Sequence, residues 1–211
     1  RAGIRVYIHE YRLAPENRFP SSLEDTLDVY NWLRTRVNAS DIILGGDSAG
    51  GWLTLVTLLY IRDHPAIPLP LGAYLISPAT DMSHTSADSH KSNEESDIMF
   101  PSNAGNIPMG IRYLLGEPPL TRESFIKIAQ TPMFSPLFAD LSKLPPLYCQ
   151  VGGSERLRDE GIDLIKKAKK EGSPAEVKVY HYQQHVFQSW FKFLSVADQS
   201  MNDVAQWINS L

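Results

Sequence analysis

The chain has 211 residues, 43 % of them apolar and 21 % charged, with a net charge of −4. That length and balance suit a single globular domain with a sizeable core. Scattered lysines under a negative net charge form no basic stripe for nucleic acid, and the lone cysteine, Cys149, excludes an internal disulfide.

In chain order, residues 4–8 alternate like a strand, and residues 11–20 read as a structured loop. Ser21 and Glu24 have the spacing of a capping box before a helix bearing Leu23, Leu27, Tyr30 and Leu33 towards Val37. Residues 41–45 suit a buried strand, and residues 52–61 a helix packed on most sides. This longest apolar run is too short to cross a membrane. Between strand and helix, Gly46-Asp47-Ser48-Ala49-Gly50 fits the pattern G-x-S-x-G. Glycines there permit a sharp strand-to-helix turn that lifts a serine hydroxyl above a helix N-terminus. Ser48 is therefore the candidate nucleophile, against the plainer alternative of a tight glycine turn with an incidental serine.

Residues 71–76 read as another buried strand, and the alternation stops after Asp81. Residues 82–131 are expected to be an inserted helical cap, leaving a core of about 1–81 and 132–211 within one domain. The serine-rich stretch 83–97 reads as a polar, mobile loop. Its His84 and His90 lack a third ligand and are read as solvated rather than metal-binding. Farther on, Ile98, Met99, Phe100, Ile107, Met109, Ile111, Tyr113, Leu114, Leu115, Phe125 and Ile128 either roof an acyl pocket over Ser48 or cover the sheet edge. A strand at 147–151, a helix at about 158–171, a strand at 176–180 and a last helix at about 195–208 complete the reading. The pattern predicts an α/β fold, a mostly parallel sheet flanked by helices, with Cys149 an inert thiol inside a strand.

Gly-Asp-Ser also opens the serine motif of chymotrypsin-like proteases, whose histidine and aspartate precede the serine on β-barrels. Only 47 residues precede Ser48, and a helix following the serine does not suit a barrel. A serine on a strand–helix elbow expects an acid and then a histidine downstream. His185, on the segment leaving the 176–180 strand, is the candidate base. His181, nearer the strand end, is the lesser choice. Glu155, where the chain leaves the 147–151 strand, is the candidate acid, with Asp159 as runner-up. Asp159 and Glu160 otherwise read as carboxylates favoured in a first helical turn. Asp47 is expected to shape the elbow, and the Ala49 N–H to supply one oxyanion donor.

Tyr11-Arg12-Leu13-Ala14-Pro15-Glu16, Gly46-Asp47-Ser48-Ala49-Gly50-Gly51, Ser77-Pro78 with Asp81, Ser135-Pro136-Leu137, Leu144-Pro145-Pro146, residues 155–161 and His185-Val186-Phe187 resemble the hormone-sensitive-lipase-like branch of the α/β-hydrolase fold. The likeness runs from about Val6 to the last helix. It implies a serine hydrolase of carboxylic esters with short to medium acyl chains, using a Ser48–His185–Glu155 triad and no metal or cofactor. Arg12 and Glu16 would brace the loop beneath the site. The chain departs from the family pattern in three places: glutamate followed by arginine where an aspartate followed by proline is usual, Val186 where glycine usually follows the histidine, and no His-Gly-Gly-like oxyanion loop before Tyr11. Gly3 is the only glycine before Gly45. The resemblance thus implies an N-terminally truncated domain, and with it the alternatives of a non-catalytic ligand-binding protein or an inactive esterase fragment. A peptidase of the same fold is a further alternative. The expected partner is a small-molecule ester, the assembly allowed for is a homodimer, and the compartment favoured is the cytoplasm.

Overall fold

The computed structural model describes residues 1–99 and 121–211. Four parallel strands form one sheet in the order β1 (Ile43–Asp47), β2 (Gly72–Ile76), β3 (Leu147–Gly152) and β4 (Ala175–Tyr180). Ile43 sits opposite Gly72, and Leu147 opposite both Ala73 and Ala175. Parallel neighbours require crossovers, which helices supply. Helix α1 (Ser21–Arg34) precedes β1, and α2 (Ala49–Asp63) links β1 to β2. Helix α3 (Arg122–Ala129) lies between β2 and β3, α4 (Arg158–Lys170) links β3 to β4, and α5 (Ser195–Ser210) follows β4.

The two-residue period of a strand sorts the side chains of β3 between the two faces. Leu147, Cys149 and Val151 join Leu55 and Leu58 of α2, Leu75 of β2, and Leu164 and Ile165 of α4 in one buried cluster. Each such aliphatic side chain contributes about 1.5–3 kcal/mol on burial. Burial also pushes the Cys149 thiol well above its ordinary range, which leaves it protonated and unreactive. Tyr148 and Gln150 point the other way. The Tyr148 ring stacks on Trp207 of α5 with centroids 5.5 Å apart, and Gln150 Nε2 donates to the Ser200 carbonyl at 2.9 Å. A second cluster joins Leu23 of α1, Trp52, Leu53 and Val56 of α2, Met82, and Phe125 and Ala129 of α3. Phe125 therefore covers helices α1 and α2. Ile98 and Met99 are exposed, and Phe100, Ile107, Met109, Ile111, Tyr113, Leu114 and Leu115 lie outside the described residues.

Four sequence expectations are corrected. Residues 4–8 are not a strand: no described residue pairs with them, and Ile8 is 93 % exposed. Alternation is a local property, whereas a ladder needs a neighbour for its N–H and C=O groups. Tyr7 instead packs edge-on against Trp32 of α1. The capping box does not form, because Pro20 takes the cap position and Ser21 is already helical. Glu24 instead pairs with Arg12 at 3.1 Å, and Arg12 also holds Asp25. Arg12 thus ties the loop to α1, while Glu16 makes no side-chain bond among the described residues. Strand β1 is half-exposed rather than buried, since it lies at the edge of the sheet.

The fourth correction concerns the stretch 83–97, which packs instead of lying in solvent. Ser89, His90, Asn93 and Asp97 are buried, and the imidazoles of His84 and His90 stack at 4.6 Å. Polar residues tolerate burial when each finds a partner, and here the partners come from Asp81 and α4. The Asp81 carboxylate accepts N–H bonds from Ser83 (2.8 Å), Thr85 and Ser86 (both 3.0 Å) and the Ser86 hydroxyl at 2.7 Å. Burial alone would raise its pKa, but the hydrogen bonds from Ser83 and Ser86 outweigh it and hold the group below its ordinary 3.8. A lowered carboxylate contributes stability above its unfolded pKa and loses it as pH falls through the folded value. Asp81→Asn is therefore expected to destabilise the fold by about 2 kcal/mol at neutral pH. The difference from the parent should shrink as the pH drops below about 4, which urea melts across that range would follow.

Candidate active site

The elbow is built by backbone geometry. Ser48 joins β1 to α2 with φ 52° and ψ −116°, a left-handed conformation that costs a non-glycine residue of order 1–3 kcal/mol. The neighbouring turn holds it there. Its N–H donates to the Ile76 carbonyl at 2.9 Å, and its carbonyl accepts from Trp52 (3.1 Å) and Ala79 (3.3 Å). Gly46 permits the turn, because a Cβ at that position would lie 2.4 Å from the Gly50 carbonyl group. With its backbone fixed, the Ser48 hydroxyl is presented beyond the carboxyl end of β1.

Across the carboxyl ends of the strands, His185 Nε2 lies 2.9 Å from Ser48 Oγ. His185 Nδ1 lies 2.9 Å from Glu155 Oε2, and Glu155 Oε1 accepts the Gly152 N–H at 2.9 Å. Gly152 permits this approach, since a Cβ there would meet the Gln183 carbonyl oxygen at 2.4 Å. With Nδ1–H donated to the carboxylate, Nε2 is the acceptor facing the serine hydroxyl. Glu155 is fully buried and His185 8 % exposed. Burial drives the Glu155 pKa upward, and the opposing pull of His185, Ser77 and Gly152 does not cancel it.

The other candidates fall elsewhere. Asp159 is held by Arg158 at 2.7 Å and accepts the Ser89 N–H at 3.0 Å. Asp47 and His181 are exposed. Ala49 opens α2, so its N–H has no acceptor within the helix. Glu160 is no surface carboxylate: it is fully buried and accepts the Thr80 and Asp81 N–H groups at 2.6 and 2.8 Å. Its other oxygen meets His90 Nε2 at 2.5 Å. The sequence reading also missed Asn93, whose Nδ2 donates to the carbonyls of Gly153 (3.1 Å) and Glu155 (2.8 Å) and so braces the turn carrying the acid. Its serine-rich surroundings gave no signal of that role. Among the described residues no cluster of three or more His, Cys, Asp or Glu suits a metal ion, and no helix is long and apolar enough to span a membrane.

Residues 1–189 match the family model described as the alpha/beta hydrolase fold. The chain belongs to the α/β-hydrolase fold family. An esterase of Acinetobacter venetianus is 31 % identical over 100 % of this chain and 66 % of its own length. An acetyl-hydrolase of Streptomyces hygroscopicus is 34 % identical over 90 % of this chain and 59 % of its own. Among solved structures, an esterase from the bacterial hormone-sensitive lipase family superimposes with TM-score 0.78 and 34 % identity, covering 95 % of this chain and 64 % of that one. An esterase/lipase from an uncultured bacterium gives TM-score 0.82 and 36 % identity over the same shares. The chain thus spans slightly less than two thirds of the length of these relatives. Its motifs place it in the hormone-sensitive-lipase-like branch of the α/β hydrolases.

One departure from the family pattern has a visible conformational effect. Val186 of this α/β hydrolase adopts φ 51° and ψ 37°, and its N–H donates to Ser77 Oγ at 3.2 Å. A β-branched residue is disfavoured there by about 1–2 kcal/mol. Val186→Gly should raise the free energy of unfolding by roughly 1 kcal/mol, after allowance for lost side-chain burial. Chemical denaturation would measure the gain, and a clear loss would mean that valine packing outweighs backbone strain.

Proposed function

We propose that this chain carries the catalytic residues of a serine hydrolase that cleaves small carboxylic esters. The observation behind the reading is the continuous hydrogen-bonded line from Ser48 Oγ through His185 to Glu155, each step 2.9 Å. Such a line is what activation of a serine requires. His185 takes the proton as Ser48 attacks the carbonyl carbon, and later returns it to the leaving alkoxide. Glu155 holds the imidazole tautomer and stabilises its cation. The Ala49 N–H, at a helix start that favours negative charge, donates to the oxyanion. Water, deprotonated by His185, then releases the acid from Ser48. Short to medium acyl chains are the proposed substrates, and residues 82–131 the proposed cap over a core of about 1–81 and 132–211.

Hydrolysis of p-nitrophenyl esters from acetate to palmitate, with Ser48→Ala in parallel, tests this. Ser48-dependent turnover that falls with acyl length is expected. Equal rates from parent and variant would overturn the assignment.

A further inference from the structure

Ser77, one residue past β2, is fully buried, and its φ of 46° is one that few non-glycine residues adopt. Nothing in the proposed chemistry uses it, yet the short segment around it bonds to Ser48, to the strand that leads to Glu155 and to the residue after His185. Its neighbour Ile76 accepts the Ser48 N–H at 2.9 Å, and Ala79 donates to the Ser48 carbonyl at 3.3 Å. The Ser77 N–H donates to the Gln150 carbonyl of β3 at 2.8 Å, two residues before Gly152 and the turn that carries Glu155. Its hydroxyl oxygen accepts the N–H of Val186, the residue after His185, at 3.2 Å. The same hydroxyl acts to lower the pKa of the buried Glu155 carboxyl, against the rise that burial causes.

We propose that Ser77 is a positioning residue: its hydroxyl ties the His185-bearing loop to the segment that holds Ser48 and β3, and so keeps the base in register with the serine. The proposal rests on the triad reading and extends it. The strained backbone follows from the same role, because the residue must meet β3 through its N–H and the His185-bearing loop through its hydroxyl at once. Because the hydroxyl lowers the Glu155 pKa, its removal should also let that carboxyl take up its proton at a higher pH.

The test compares Ser77→Ala and Ser77→Gly in the full 211-residue chain. Glycine favours a φ of this kind, so that variant keeps the test open if alanine prevents folding. The proposal expects kcat for p-nitrophenyl ester hydrolysis to fall about tenfold or more in both folded variants, with KM little changed. It also expects the acid limb of the pH–rate profile to move upward. The low-field proton resonance of His185 Nδ1–H, assigned by its loss in His185→Gln, should shift or exchange faster in both variants. Unchanged resonance and unchanged acid limb in both would overturn the role of Ser77, as would activity lost only in proportion to unfolded protein. A resonance in the parent that is indifferent to Glu155→Gln would instead sink the triad reading, and the role of Ser77 with it.

Discussion

His185→Ala is expected to reduce ester turnover by about 10⁴-fold or more, with the sheet intact. Among the described residues the imidazole is the only group placed 2.9 Å from both Ser48 Oγ and a Glu155 oxygen, so its loss removes the base and isolates the acid together. Residues that act as one unit are not additive. The double variant Ser48→Ala/His185→Ala should therefore be no slower than either single change, and stepwise multiplication of the losses would argue that the two act separately. Glu155→Gln separates activity from stability. The buried carboxylate has a raised pKa, so its ionised form opposes folding. Stability from a raised carboxyl is present below the unfolded pKa and declines as pH rises through the folded value. The Gln variant should thus be slower by about 10⁴-fold, yet gain stability relative to the parent on going from pH 4 to pH 8. Steady-state kinetics and parallel thermal melts would check both halves.

Glu160→Ala is expected to be the most destabilising single change at a position outside the triad, by about 4 kcal/mol. Its carboxylate has no exposure and meets Thr80 N–H, Asp81 N–H and His90. Alanine would strand two buried N–H groups and an imidazole whose Nδ1 has no hydrogen-bond partner among the described residues. Each stranded group costs about 1–3 kcal/mol. Glu160→Gln keeps an oxygen for the two N–H groups and should lose less than half as much. Denaturant titration would rank the pair, and equal losses would show that the negative charge itself is what the site requires.

What the sequence disclosed follows from how local each signal is. The elbow is five adjacent residues whose glycines and serine carry the geometry, and it was legible without any neighbour. Glu155 and His185 were placed by the order of elements and by resemblance, and their meeting depends on β3 and β4 lying side by side. Residues 4–8 misled because an alternating pattern does not reveal whether a neighbouring strand exists. The stretch 83–97 misled in the opposite direction. Its serines and histidines have the composition of a solvated loop, but their partners, Asp81, Glu155, Asp159 and Glu160, lie before and after it in the chain. Ser77 belongs to the same class, because its meaning arises only where three separate strand ends converge.

The strands lie side by side in the order in which they occur in the chain, and the contact between Ser48 and His185 spans 137 residues. The turn after the first strand carries the proposed nucleophile, and the segment after the last strand carries the proposed base. The site therefore comes into being only when the outermost pairing, β3 with β4, has closed. Contacts of such long range form late and are lost early when a chain opens in parts. Loosening of β4 and α5 would silence the serine while β1, β2 and α2 still held together. Reactivity of Ser48 towards a phosphonate probe is thus a gauge of assembly for the whole sheet, more demanding than any spectroscopic measure of helix content.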